Sequence, residues 1–351
     1  MKCFGPYRKV VVAPDSFKGC LSAQEVASTL ASALRGLHPD WEVVENPLAD
    51  GGEGTVDVLT PALGGAFRLA VVSDPLGRPV TTRYGLLDDT AIIEVAEACG
   101  LKYLEPSEQN PLTANTYGVG ELLMAARKEG ARRFVIGLGG TATCDGGAGM
   151  LQVPGIREAL KDCTFELLCD VDIPFIGPEG AVRRYAPQKG ASPADVEVLE
   201  ERMKAFAGTL LSETGVDVLT LPSAGAAGGL EGAFIACFGA ENRSGIDRIL
   251  DLTGFDAVVE GADLIITGEG KSDRQTLSGK VALGVLRRSK GIPVVLLSGR
   301  IEDAEALSAA GFSRLIQVSP DTLPLAEAII PSVAKANLRK AAEKMDLFDM
   351  E

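Results

Sequence analysis

The chain has 351 residues, a length that suits about two domains, and 46% of them are hydrophobic, as in globular proteins with sizeable cores. Lys plus Arg number 34 against 48 Asp plus Glu, a formal charge of −14 with no basic block, so the footprint of a nucleic-acid or anionic-membrane binder is missing. The only histidine, His38, precedes Pro39, which argues against Ser-His-Asp hydrolysis, His-rich zinc sites and His-based dehydrogenation, and leaves carboxylates or lysines as bases.

Phosphoryl transfer fits such a composition, because positioning and electrostatics do most of its work. Val10–Ala13 is too short for a signal-peptide core, and Glu231 interrupts the longest apolar stretch, so neither a leader nor a membrane span is expected. The seven cysteines form no Cys-x-x-Cys pair and read as reduced thiols of a cytoplasmic protein.

In chain order, Lys9–Ala13 is a β-branched strand, and Ser22 with Glu25 forms a capping box. A helix with Val26, Leu30, Ala33, Leu34 and Leu37 at helical spacing follows and stops at Pro39. Trp41–Pro47 is a second strand and Glu53–Leu63 a second helix, ending at Gly64 and Gly65. Residues 67–72, 81–86 and 91–95 then read as short strands separated by turns, more like an antiparallel insert. A helix at Tyr117–Lys128, strands at 133–138 and 165–169, and a charged helix at Pro193–Thr214 come next. Alternation returns with strands at 264–266, 294–297 and 315–318 and helices at 277–289, 302–310 and 325–344. The expected fold class is α/β: a doubly wound parallel sheet built from both chain ends (residues 1–65 and 241–351), with a different, mixed α/β domain (66–240) inserted.

In an open parallel sheet, ligands bind beyond the carboxyl ends of the strands, where strand order reverses. Polar clusters occur there: Asp15, Ser16 and Lys18 after the first strand, Asp50 and Glu53 among glycines after the second, and Thr267–Asp273 after the strand at Leu264. The plain alternative for Asp50 is a helix cap, and for Glu53 a first-turn dipole complement. The segment Gly137–Gly149 (Gly139, Gly140, Thr141, Thr143, Asp145, Gly146 and Gly147 among it) is rich enough in glycine to form an anion nest, or a turn built for close packing. Ser223–Gly229 is a second such stretch, preceding an apolar segment, and the same two readings apply. P-loop and EF-hand patterns fail at Ile265 and Pro174. Asp170 and Asp172 at a strand end suit Mg²⁺, which takes one or two carboxylates plus phosphate oxygens.

These segments together resemble the type I glycerate kinase family: Ala13–Gly19, Ala49–Thr55, Gly139–Gly149, Cys169–Asp172, Pro187–Ala191, Gly225–Gly229, and Thr267–Gly270 through Asp273, Gln275, Gly279 and Lys280, in family order. The resemblance implies transfer of the γ-phosphate of ATP to D-glycerate, usually at the 2-hydroxyl, and a flavodoxin-like domain carrying an insert. On that reading Asp50 or Glu53 is the base, and Lys18 and Lys280 neutralise the transferring phosphoryl group or the substrate carboxylate. Asp15, Ser16, Asp273 and Gln275 join the substrate site, Gly139–Gly147 cradle ATP, and Asp170, Asp172 or Asp273 holds Mg²⁺. A homodimer is compatible with the sequence. Thr141 and Cys144 replace the family's usual Ser and Asn, and the stretch 151–165 is short, which predicts a missing hairpin or loop at the edge of the insert. The competing readings are an NAD-dependent dehydrogenase, which lacks its acid beyond Gly139, and a non-catalytic sensor of phosphorylated acids.

Overall fold

The computed structural model describes residues 9–345. Its strands, in chain order, are β1 (Lys9–Val12), β2 (Glu42–Glu45), β3 (Ala66–Ser73), β4 (Pro79–Leu87), β5 (Thr90–Glu94), β6 (Arg133–Gly137), β7 (Thr164–Leu168), β8 (Glu241–Arg243), β9 (Leu264–Ser272), β10 (Val294–Ile301) and β11 (Arg314–Gln317). The chain divides into two compact units, at Asp50/Gly51 and at Gly245/Ile246. The six described cysteines are free, and Cys3 lies outside the described residues. No helix among the described residues is long and apolar enough to cross a membrane.

The first unit carries an all-parallel sheet of order β11-β10-β9-β1-β2. Taken within the unit, the order is second, first, third, fourth, fifth, the flavodoxin-type arrangement, and it reverses between β1 and β9. Val10, Val11 and Val12 are all fully buried, as expected of a strand covered on both faces. Val10 and Val12 share a core cluster with Leu30 and Leu34 of the helix Ala23–Leu37 and with Leu338 of the helix Pro331–Glu343. Ser22 and Glu25 form the expected capping box, and His38 caps the other end while its ring stacks on Trp41.

The second unit holds a six-stranded sheet, β3-β4-β5-β6-β7-β8, antiparallel for the first two pairings and parallel for the rest. Only its first three strands therefore form the antiparallel part. The helix Tyr117–Lys128 buries Val119, Leu122, Leu123 and Ala126 at helical spacing in a cluster with Ile93, Phe134, Phe165 and Phe234. The short stretch 151–165 is spanned by the helices Ala148–Leu151 and Ile156–Leu160, which bring the chain directly into β7.

Several expected boundaries move, each for a local reason. The helix Thr55–Ala62 packs on β4 and β5, so it belongs to the second unit and not to the first, which ends at Asp50 instead of 65. The expected helix 325–344 is broken into Leu325–Ala328 and Pro331–Glu343, because Pro331 cannot donate to the preceding turn and disfavours helical backbone at Ile330. β9 continues to Ser272, so Thr267–Ser272 are strand residues and not a loop.

That extension depends on Gly268. A Cβ there would lie 1.7 Å from the carbonyl oxygen of Leu297, the residue it pairs with on β10. Gly268→Ala is expected to lower stability by about 3 kcal/mol or more through overpacking, which a urea melt would read.

Candidate functional site

In the first unit, backbone pairing between β1 and β9 continues past the end of β1: the Asp15 N–H donates to the Gly268 carbonyl at 2.8 Å, and the Thr267 hydroxyl donates to the Ala13 carbonyl at 2.8 Å. This fixes Asp15 and Glu269 at the point where strand order reverses. A cavity of about 380 Å³ opens there, lined by Asp15, Ser16, Lys18, Glu269 and Lys280 among others.

Asp15 is 3% exposed. Burial, the neighbouring Asp50 and, more weakly, Glu269 push its carboxyl up to about 8, against the opposing pull of Lys18 and of the Ser16 N–H, which donates to Oδ1 at 2.6 Å. The Lys18 ammonium lies 3.8 Å from Asp50 Oδ2. The Ser16 hydroxyl is buried and has no hydrogen-bond partner. A buried hydroxyl normally finds a partner, so one left open on a cavity wall is suited to a ligand.

Glu269 is buried as well, but its charge is fully compensated. Its Oε1 accepts from Ser272 Oγ at 3.0 Å and Thr276 Oγ1 at 2.6 Å, and its Oε2 from Lys280 Nζ at 3.1 Å. It thereby holds the Lys280 ammonium on the cavity wall.

The cap reading of Asp50 fails, because Gly54 is the N-cap of the helix Thr55–Ala62 and makes no side-chain cap bond. Glu94, at the end of β5, supplies the missing acceptor, with Oε1 2.8 Å from the Val56 N–H. Burial pushes the Glu94 carboxyl up to about 7. Glu53 is exposed and belongs to the second unit. Asp273 and Gln275 do not line the cavity. Asp273 instead caps the turn Arg274–Leu277, accepting from the Gln275 N–H at 2.8 Å.

In the second unit, Gly139 and Gly140 at the end of β6 are exposed, whereas Thr141 and Thr143 are buried. Lys189, only 4% exposed, donates to Thr141 Oγ1 at 3.0 Å and to the Thr143 carbonyl at 2.8 Å. Its contacts are thus neutral oxygens, and its charge sits beneath the Gly-rich loop. The Thr143 hydroxyl is buried without a hydrogen-bond partner.

The Asp145 carboxylate is engaged within the loop itself. Oδ2 takes the N–H groups of Thr116 and Gly149 and the Thr116 hydroxyl, and Oδ1 takes the Gly147 N–H. Gly146 and Gly147 likewise serve packing, since a Cβ would meet Phe206 at 2.8 Å or Ala233 at 2.6 Å. The second Gly-rich stretch is tied to the first, with the Gly146 N–H donating to the Gly228 carbonyl at 3.0 Å.

Asp170 and Asp172 are both placed after β7, and Asp170 Oδ1 accepts from the Gly245 N–H at 3.1 Å. Among the described residues no group of three Cys, His, Asp or Glu side chains is placed to hold a metal. Glu231, fully buried between Ser223 and Asn242, is pushed up to about 7 by burial.

Sequence reasoning missed Glu269 and Lys189 as site residues. Both stand in motifs that carry the family resemblance, but nothing in a linear pattern marks a lysine or a glutamate as buried.

The sequence matches the model of the glycerate kinase family over residues 10–158 and 152–348, the two stretches meeting where the chain is short. The glycerate kinase of Bacillus subtilis (strain 168) is 38% identical, with 91% of this chain and 92% of that protein covered. The glycerate 2-kinase of Escherichia coli (strain K12) is 38% identical over 84% of this chain and 86% of its own. The crystal structure of a protein assigned as glycerate kinase 2 in Salmonella typhimurium LT2 superposes with a TM-score of 0.82 at 36% identity, covering 97% of both chains. With this identity along nearly its whole length, the chain belongs to the glycerate kinase family.

Proposed function

We propose that the protein transfers the γ-phosphate of ATP to the 2-hydroxyl of D-glycerate, giving 2-phosphoglycerate and ADP. The observation that carries this reading is the buried Asp15, set beside Asp50 and Lys18 on the wall of a cavity at the strand-order reversal. Family membership supports the phosphoryl transfer, and the E. coli relative named a glycerate 2-kinase supports the position.

Asp15 acts as the general base, in place of the Asp50 or Glu53 expected from the sequence. A carboxylate raised toward the working pH is a better proton acceptor than an ordinary one. Asp50 is engaged with Lys18, and Glu53 is exposed in the other unit. As the glycerate oxygen bonds to the γ-phosphorus, its proton passes to Asp15 and the bond to ADP breaks. Lys18 and Lys280 stabilise the negative charge of the substrates on that wall, and the unpartnered Ser16 hydroxyl bonds a substrate oxygen.

Mg²⁺ supplies neutralisation of phosphate charge when bound, and the Asp170 and Asp172 oxygens are of the hard type it prefers.

Incubation with MgATP and D-glycerate should give ADP and 2-phosphoglycerate by phosphorus NMR. A 3-phosphate signal would overturn the position, and absence of turnover the substrate.

Asp15→Asn should lower kcat/KM by about a thousandfold. The native pKa of about 8 lies above the ordinary 3.8, so the stability Asp15 contributes is present below 3.8 and is lost as pH rises through 8. The variant should therefore melt close to wild type near pH 4 and increasingly above it as pH rises toward 8. A fully active Asp15→Asn enzyme would transfer the base role to Asp50.

A further inference from the structure

The cavity of the first unit is larger than glycerate needs. Its volume of about 380 Å³ is in the range of pockets that enclose drug-sized ligands, whereas glycerate is a three-carbon acid. The lining of the cavity is of two chemical kinds. Asp15, Lys18, Glu269 and Lys280 are polar, and Lys271 and Arg300 add further cations. The other kind is apolar and comes from the segment after β11: Val318, Pro320, Leu323, Leu325, Ala328 and Ile329. Two of these are left in water, Leu325 at 75% and Ile329 at 42% exposure.

Glycerate carries a carboxylate and two hydroxyls and has no apolar face to bury. Of the two substrates of a kinase, only the nucleotide offers one, the plane of its base. A flat ring against aliphatic side chains gains burial on its faces, and the cations along the same cavity suit the phosphates attached to it.

We propose that the apolar wall Val318–Ile329 seats the base of the nucleotide, with its phosphates running toward the lysines of the β1 and β9 ends. The assignment rests on the kinase reading. It makes Leu323, Leu325 and Ala328 determinants of nucleotide affinity that glycerate does not touch. Both kinds of lining residue lie within one unit, so the seat exists without any residue of the other.

The test is calorimetric titration of the whole protein with MgADP and with inorganic triphosphate, comparing wild type, Ala328→Trp and Leu325→Gln. Filling the seat by Ala328→Trp should weaken ADP binding by at least about tenfold, while triphosphate affinity and the glycerate KM stay within about twofold. Leu325→Gln, at an exposed position with little cost to folding, should weaken ADP by about threefold and triphosphate not at all. If Ala328→Trp melts early, the glutamine variant decides alone. Unchanged ADP affinity in the folded variants, or equal weakening of ADP and triphosphate, overturns the proposal. If the variants show this pattern but the wild-type protein turns over no glycerate, the base seat is supported and only the glycerate reading is refuted.

Discussion

The parallel pairing of β1 with β9 is the constraint on which the first unit depends. It continues beyond β1 through the Ala13 and Asp15 amides, which donate to Ile266 and Gly268 at 2.7 and 2.8 Å. Loop residues at a strand end would ordinarily be mobile, but these two bonds make Asp15 part of the sheet. The same pairing aligns Glu269, and through Glu269 it orients Lys280. β10 must approach β9 closely enough to complete the sheet, and only a residue without a Cβ permits that contact at Gly268.

The two buried carboxylates of this sheet show opposite solutions to one problem. Removing a carboxylate from water is costly unless donors replace the water. Glu269 receives two hydroxyls and an ammonium and serves as a fixed internal support. Asp15 receives one backbone N–H and faces a second carboxylate, so its charge is poorly compensated. A protein selected only for stability would not keep such a group. Retaining it on the wall of a cavity is understandable if the group exchanges a proton there.

In the second unit the Gly-rich loop is held from two directions by groups of opposite charge. Asp145 gathers the amides of Gly147, Gly149 and Thr116, and Lys189 bonds Thr141 and the Thr143 carbonyl. The loop shape is thus set by buried side chains, and Gly139 and Gly140 remain exposed. The replacement of an expected Asn by Cys144 leaves this frame intact, since Cys144 is buried in the cluster with Phe175 and Met203 and takes no part in it.

The sequence by itself determined the elements with strong periodicity or terminal signals. Ser22 and Glu25 cap the helix Ala23–Leu37 as expected, Tyr117–Lys128 and Pro193–Thr214 lie where the sequence places helices, and the α/β class follows from the alternation of strands and helices. It also marked Asp15, Ser16 and Lys18, because polar residues after an apolar strand are conspicuous in a linear pattern, while Lys280 was marked by the family resemblance. The tertiary structure decided what depends on contacts distant in sequence. It assigned the helix Thr55–Ala62 to the second unit, because the strands it packs on come later in the chain. It made Asp145 and Asp273 internal caps and removed Gln275 from the cavity wall. It also buried Asp15, Glu269 and Lys189, and burial is what separates them chemically from exposed residues of the same type. The physical reason is that spacing along the chain reports local backbone geometry, whereas the dielectric and the partners around a charge are set by residues as far apart as Ala13 and Thr267.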